Sequence, residues 1–593
     1  MGNNVKLRSS LLVTLMLSLA ACGGGSSNGS ATPGTISTAG ISVASEPASA
    51  TSPSVSALSR QSTLVRQGAT QATAAVATPL TRAEAAQFLG QASFGPTMAS
   101  IDALVASSKA DWINNQFQLA PTLHRNHIIQ VAATGVAVGQ NQVLESFWNQ
   151  AINGNDQLRQ RVTYALSQIF VISMVDANIG NRAYGVSSYY DMLNQNAFGN
   201  FRDLLQGVAL HPMMGIYLSH MRNQKESGAR VPDENFAREV MQLMSIGLYQ
   251  LNLDGSIKTS GGKQLETYTH DDVMGLAKVF TGWSWAGPDQ SLVRFHGGSP
   301  DPARDWTPMQ NYPLFHSSSS KSFLGVTTNG SGEADLKVAL DTLFNHPNVG
   351  PFIGRQLIQH LVASNPSPGY ISRVAAAFNN NGAGVRGDMR AVIRAVLLDP
   401  EAGFTGDGKK LREPVLRLAN WMRAFNVKST SGRFMMINTD DALLGLGQTP
   451  LRSPSVFNFY RPGYTPPNTT LAAAGMVAPE MQITGEPTVT GYLNFMQIVI
   501  PNGIGSSRDI QPDYSAEMAL ISQPALLVDR INQLLLAGQM SSTLRNQIIT
   551  ALNAVNISPT VVTNATNLET ARKNRVYLAI YLTMASPEYL AQR

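Results

Sequence analysis

The chain is 593 residues long, with 43 Lys+Arg against 38 Asp+Glu, a formal net charge of +5 and one cysteine. The charge balance is modest, with no long Lys/Arg run and no basic–aromatic interleaving, so nucleic-acid binding has little support. A single cysteine excludes a disulfide within one molecule.

The first predicted element is a targeting segment. Lys6 and Arg8 give a basic start, and Leu11 to Leu19 give an apolar run too short to span a bilayer comfortably. Residues 1–21 therefore read as a signal peptide. The run ends in Leu19-Ala20-Ala21-Cys22-Gly23, which resembles the lipobox of bacterial lipoproteins. The resemblance implies cleavage before Cys22, a lipid such as palmitate on that cysteine, and attachment to a membrane. Gly23 stands where lipoproteins kept in the inner membrane usually carry Asp, which points to the outer membrane. Loss of Lys6 and Arg8 lowers the net charge by two, from +5 to +3. Residues 22–80 are dominated by Gly, Ser, Ala, Thr and Pro, with Glu46, Arg60 and Arg66 as the only charges. Such a segment buries too little apolar surface to offset its ordering entropy, and reads as a flexible tether.

Residues 81–593 read as a mainly α body: a large, irregular multi-helix domain with long loops and few short strands. Helices are predicted at 82–90, 100–118 and 140–152. Asp156 to Met174 follows, with a stripe of Leu158, Val162, Ala165, Leu166 and Ile169. Further helices are predicted at 200–209, 335–345, 370–379, 409–425, 522–538, 541–553 and 567–587. In 346–362, Pro351 suits a first helical turn, with Phe352, Leu357, Ile358 and Leu361 on one side. Over 388–398, Met389, Val392, Ile393, Val396 and Leu397 hold the helical period, Asp388 caps the start and Asp399-Pro400 ends it. Short strand signals occur near Ile257, Arg294 and Ile498. Regions 284–332 and 427–512 are rich in Gly, Pro, Ser and Asn and are predicted to be irregular.

Several side chains carry candidate chemistry. Asn235, Arg238, Glu239 and Gln242 lie at i, i+3, i+4 and i+7 and share a helix face. That stripe is a wet face if the helix lies at the surface, a buried network if it is central, or a cleft. Thr269 and Asp272 have capping-box spacing, with His270 and Asp271 between them. A catalytic reading joins Glu239 and Asp272 as acid–base or metal-binding carboxylates with His316 assisting. Lys321 near His316 offers a site for an anionic group, and Arg238 a second cation. Trp283 and Trp285, with Trp306, Phe315, Tyr460 and Tyr464, offer aromatic faces for a core or for sugar rings. His360 sits beside Arg355, Gln356 and Gln359, as a polar-face or core histidine.

Other motifs fail on inspection. Asn252-Leu253-Asp254-Gly255 is a tight turn, since the EF-hand alignment puts Gln250 and Gly261 where acids are needed. GFTGDGKK at 403–410 puts Lys410 where a P-loop needs Ser or Thr. GWSWA at 282–286 ends in Ala and follows a helix, unlike a nucleophile elbow. The nine histidines show no metal-ligand spacing and no HExxH, so no metal or other cofactor is assigned.

LTRAEAAQFLGQASFGPT at 80–97, NFAREVMQLMSIGLYQLNLDG at 235–255 and YTHDDVMGLAKVFTGW at 268–283 resemble the large bacterial family called domain of unknown function 1800. HSSSSKSFLG at 316–325, residues 339–370 and KLREPVLRL at 410–418 match further, and SPSVFNFYRPGY at 453–464 is similar to a proteobacterial branch. Met244 stands where Phe or His is usual, and His270 where Gln is usual. The resemblance implies an exported, often surface-associated protein whose activity is not established. It also implies a possible partner, a sulfatase- or phosphatase-like protein whose gene often lies next to the family's. The expected function is a lipid-anchored envelope protein that binds a polymer such as a polysaccharide, or a protein partner. An envelope hydrolase and a purely structural component stand as alternatives.

Overall fold

The computed structural model describes residues 79–403 and 409–592. The signal peptide, Cys22, tether residues 22–78 and most of the 403–410 segment lie outside them. The described residues form 24 α-helices and five two-stranded antiparallel sheets, a mainly α fold. None of these helices is long and apolar enough to cross a membrane.

Three helices form the centre. Every residue of Gln157–Ile169 and of Pro414–Ala424 is buried, and so are all but two of Val349–Leu361. The apolar stripe of the first helix suggests one solvated side. It has none, because helices Arg82–Ala92, Lys109–Gln118, Gln140–Asn153, Ala183–Asn196 and Val349–Leu361 all pack on it. Its polar residues are therefore interior, and their hydrogen bonds must be made inside the protein. Arg159 donates from Nη1 to Asn194 O at 3.0 Å and Thr163 from Oγ1 to Arg159 O at 2.7 Å, and on Pro414–Ala424 the Arg423 guanidinium donates to the backbone oxygens of Gly95 and Ile152, both at 2.6 Å.

Local signals place many elements. Asp388 accepts from the Arg390 and Ala391 amides at the start of Met389–Leu397. Pro351 lies in the first turn of Val349–Leu361. Gly255, at φ +78°, completes the Asn252–Gly255 turn, and Asp254 accepts from Ser256 N at 3.0 Å.

Other expectations need correction. The 100–118 stretch is two helices, Met98–Val105 and Lys109–Gln118, because Ser108 caps a new start. Residues Lys410–Leu411 are not helical but pair with Ala591–Gln592, closing the C-terminus onto the core. Arg294 lies in the short helix Leu292–Phe295 rather than a strand. Ile498 lies in the helix Glu486–Asn502, whose β-branched run suggests a strand. That helix packs on Ala565–Ala585, and tertiary contact outweighs β propensity there. A strand pair near Ile257 does form, between Thr259–Ser260 and Lys263–Gln264.

Candidate binding cleft

The polar stripe divides. On the helix Asn235–Gln242, Asn235 is exposed and the half-exposed Arg238 donates from Nη2 to Glu234 Oε2 at 2.9 Å. Glu239 turns inward. It is buried, its Oε2 has no hydrogen-bond partner, and burial raises its pKa against the pull of Arg238. Tyr268 donates to Gln242 Oε1 at 3.4 Å. One side of the stripe is a wet face and the other leads into the interior.

Asp272 closes a capping box. Its Oδ2 accepts from Thr269 N at 2.7 Å and Thr269 Oγ1 at 2.8 Å, and the Thr269 hydroxyl accepts from Asp272 N. Its Oδ1 accepts from the Leu324 amide at 2.7 Å, pinning the turn of the Lys321–Phe323 hairpin. Burial pushes this carboxyl up, but the hydrogen bonds from Thr269 and Leu324 outweigh it and leave its pKa lowered.

His316 and Lys321 do meet around an anion, and that anion is Asp335 of the same chain. His316 Nε2 lies 3.0 Å and Lys321 Nζ 2.8 Å from Asp335 Oδ2. His316 Nδ1 lies 2.8 Å from Thr281 O. Asp335 Oδ1 accepts from Thr328 Oγ1 and Gly330 N at 2.6 and 2.7 Å. Burial would raise the Asp335 pKa, but these hydrogen bonds, led by Lys321, bring it down to about 2. No hydrogen bond links any two of Glu239, Asp272 and His316.

The tryptophan faces are covered. Trp283 is buried and donates from Nε1 to Val279 O at 3.1 Å. Trp285 is buried beneath two guanidinium groups, Arg304 at 5.2 Å and Arg182 at 5.7 Å from its ring centre. Phe315 stacks on Phe295 at 3.7 Å, and the Tyr460 hydroxyl donates to Gln168 at 3.0 Å. Ser284 is buried with its hydroxyl bonded to Phe295 O.

Gln242 leads to a cleft of ≈ 300 Å³. Leu243 and Leu248, just past the stripe helix, form one wall. Phe352, Gln356, Gln359 and His360 of Val349–Leu361 form the second. The third is the 453–464 loop, through Val456, Phe457, Asn458, Tyr460 and Arg461. The walls are mostly apolar with a few polar groups between, the pattern of small-molecule and polymer subsites. A smaller cavity of ≈ 40 Å³ near Gly90 and Arg412 has room for about one water.

The floor holds buried charges that are partly paired, Arg161 keeping Nε and Nη1 without a hydrogen-bond partner among the described residues. Glu480 and Lys410 pair at 2.7 Å, and Lys410 Nζ donates to Gln359 O and His360 O at 2.6 and 3.0 Å. Arg161 also donates to His360 O, at 2.7 Å. Glu413 Oε2 accepts from Tyr164 and Gln448 at 3.0 and 2.7 Å. Gln168 Oε1 accepts from Asn458 and Tyr460, fixing the loop to the central helix. Burial, then Lys410 and Arg161, push the His360 pKa well below its ordinary value, so the ring is neutral near pH 7. Three atoms of the lining residues stay without a partner: Gln356 Nε2, Gln359 Oε1 and His360 Nδ1. Buried polar atoms are rarely left so, and these three lie on consecutive turns of one helix. The sequence places His360, Gln356 and Gln359 on a polar face. The missed signal is the pair of charges in KLREPVLRL, Lys410 and Glu413, flanking a helix that is buried all round.

Among the described residues no group of three or more His, Cys, Asp or Glu is placed to hold a metal ion. Fold and cleft together define a large helical protein with a ligand-sized surface opening over a polar floor that holds the Lys410–Glu480 pair. The chain belongs to the family described as protein of unknown function, DUF1800, whose family model matches residues 87–591. No curated protein and no solved structure matches it.

Proposed function

We propose that the protein is a lipid-anchored cell-envelope component, held through Cys22 and the 22–80 tether. In this reading it binds an extracellular or periplasmic polymer or protein partner in the cleft between Val349–Leu361 and the 453–464 loop. The observation that carries it is the apolar-walled opening, with Gln242, Gln356, Gln359 and His360 set as polar groups in its lining. Binding is favoured over hydrolysis because both oxygens of Asp272 and both ring nitrogens of His316 are already committed within the fold. A general acid or base needs its proton-carrying atom within reach of substrate.

The test uses the full mature chain and its Phe457→Ala variant, immobilised and exposed to envelope extract. Phe457 is half-exposed, so its loss removes a cleft wall without opening the core. Wild type is expected to retain sugar or protein above a tether-only control, and the variant to retain roughly a tenth as much, the effect of losing one buried aromatic contact. Equal retention by both would remove the cleft from the account. In cells, labelled palmitate is expected to enter wild type and not Cys22→Ser; equal labelling would remove the anchor.

A further inference from the structure

Among the described residues Arg461 lines the cleft without a counter-charge, and Arg355, outside the lining itself, sits on the helix that forms one wall. Arg355 lies three residues after Phe352 and four before Gln359, at the edge of the helix face that lines the opening. It is half-buried, and among the described residues it has no hydrogen bond, ion pair or ring contact. Burial is the sole cause of a lowered pKa there, with no carboxylate pulling the other way. Three other part-buried arginines are served by carboxylates: Arg202 has Asp341, Arg433 has Glu145 and Arg452 has Asp440. An arginine keeps its charge, so a half-desolvated one without a partner is a standing cost. Arg461, on the opposite wall, is exposed, and its guanidinium lies only over the Phe457 ring, at 4.6 Å. The acid nearest the floor, Glu480, is already taken by Lys410. The cleft therefore has an uncompensated cation in one wall and a second on the helix that forms the wall opposite.

The rest of the lining says what kind of body bears the missing negative charge. Gln242 and Gln356 bring amides to the lining, groups that donate and accept as sugar hydroxyls do, while the Gln359 amide nitrogen is spent on Ser364 O and Pro462 O. Phe352 and Phe457 offer ring edges and faces to the apolar side of a sugar. An acidic peptide bound as an extended strand would need a sheet edge to lengthen. The described sheets have strands of only two or three residues, and none lies in the cleft lining.

We infer that the cleft takes an acidic polysaccharide, its sugar rings against Leu248, Phe352 and Phe457 and its carboxylates or sulfates on Arg355 and Arg461. This rests on the cleft being a binding site, as proposed above. A planar guanidinium matches a carboxylate through two parallel hydrogen bonds, which gives such an edge both charge and direction.

Calorimetric titration of the full mature chain with an oligogalacturonate, with its methyl ester and with poly-L-glutamate tests this. The oligogalacturonate is expected to bind at least about tenfold more tightly than the ester, and Arg355→Gln and Arg461→Gln each to weaken it about tenfold, as for one charge-assisted hydrogen bond. The variants' unfolding midpoints, read alongside, should not fall below wild type, and that of Arg355→Gln should rise if its charge is a standing cost. Equal binding of acid and ester, with no effect of either substitution, overturns the acidic ligand and leaves the cleft. Tighter binding of poly-L-glutamate makes the occupant an acidic peptide instead. If no probe binds while Phe457→Ala still abolishes envelope capture, the acidic sugar is wrong and the cleft reading stands. If Phe457→Ala also has no effect, both fall.

Discussion

Asp335 shows how a single buried carboxylate organises its surroundings. It has no exposed surface, and it gathers His316, Lys321, Thr328 and the Gly330 amide. Lys321 is also fully buried, so removing the carboxylate strands an ammonium in the interior. Asp335→Asn is expected to lower stability by about 3–5 kcal/mol in urea unfolding, the cost of breaking a buried pair from one side. The Asp335→Leu/Lys321→Met double variant should lose less, because neither charge remains. A single-variant loss under about 1 kcal/mol, as at an exposed pair, would refute this account. The sign with pH follows from the direction of the shift. The folded carboxyl titrates at about 2, below its unfolded value, so its contribution is complete above roughly pH 4 and is lost as pH falls toward 2.

The helix His270–Val279 shows the same economy at the next scale. Its N-terminus is set by the Thr269–Asp272 box, and its middle lies against the strand Lys321–Phe323 with Gly275 at the contact. A Cβ on Gly275 would collide with the Ser322 carbonyl. Propensity alone makes Gly275→Ala stabilising by about 1 kcal/mol. The clash is with backbone, which cannot rotate away, so the variant is expected to be destabilised by about 1–3 kcal/mol as an overpacked site. A urea midpoint equal to or above wild type would show that helix and strand can part freely. Elements of this kind are legible in the sequence because their signals are local: a cap, a period, a Pro in the first turn. Helix Ala183–Asn196 has the period, with Val186, Tyr189, Tyr190 and Leu193 at i, i+3, i+4 and i+7. No side chain caps its start and its Gly, Ser and Tyr residues are weak helix formers, so packing on His124–Ala133, Gln157–Ile169 and Phe201–Leu210 secures it. The cleft is hidden because its parts are distant in sequence. Gln242, Gln356, Phe457 and Glu480 share no spacing, and they meet only after the central helices have packed. Glu239, Asp272 and His316 are visible as residue types, and the capping-box spacing shows locally that Asp272 bonds Thr269, yet nothing local shows the Leu324 amide on Asp272 or Thr281 and Asp335 on His316.

The whole molecule stores polar groups in a helical interior, and this sets its response to acid. His124, His211, His220 and His360 are buried, and burial is the largest cause pushing each below its ordinary value, His220 to about 4 and His211 to about 3. The unfolded chain binds protons at these sites from about pH 6.5 downward, while the folded chain does not. Stability therefore falls as pH drops below about 6.5, by up to about 1.4 kcal/mol per pH unit for each histidine, until the folded ring itself is protonated. Three buried acids oppose this: Asp191, Glu239 and Glu480 are raised by burial and gain protons more readily when folded. Each is partly held down by a neighbour, His124, Arg238 and Lys410 respectively, and carboxyls lowered by hydrogen bonds, Asp335 among them, act in the same direction as the four histidines. The expected result is a lower urea midpoint at pH 5 than at pH 7, with the slope of the transition unchanged. His220 makes the sharpest single test. Its ring stacks on Phe236 at 3.9 Å and its Nε2 lies 2.9 Å from Ala209 O. His220→Gln should lower stability at pH 7 through lost packing but narrow the gap between the two pH values, because one proton-binding difference is gone. A midpoint at pH 5 equal to or above that at pH 7 in wild type would mean that the buried acids, not the histidines, govern the acid limb.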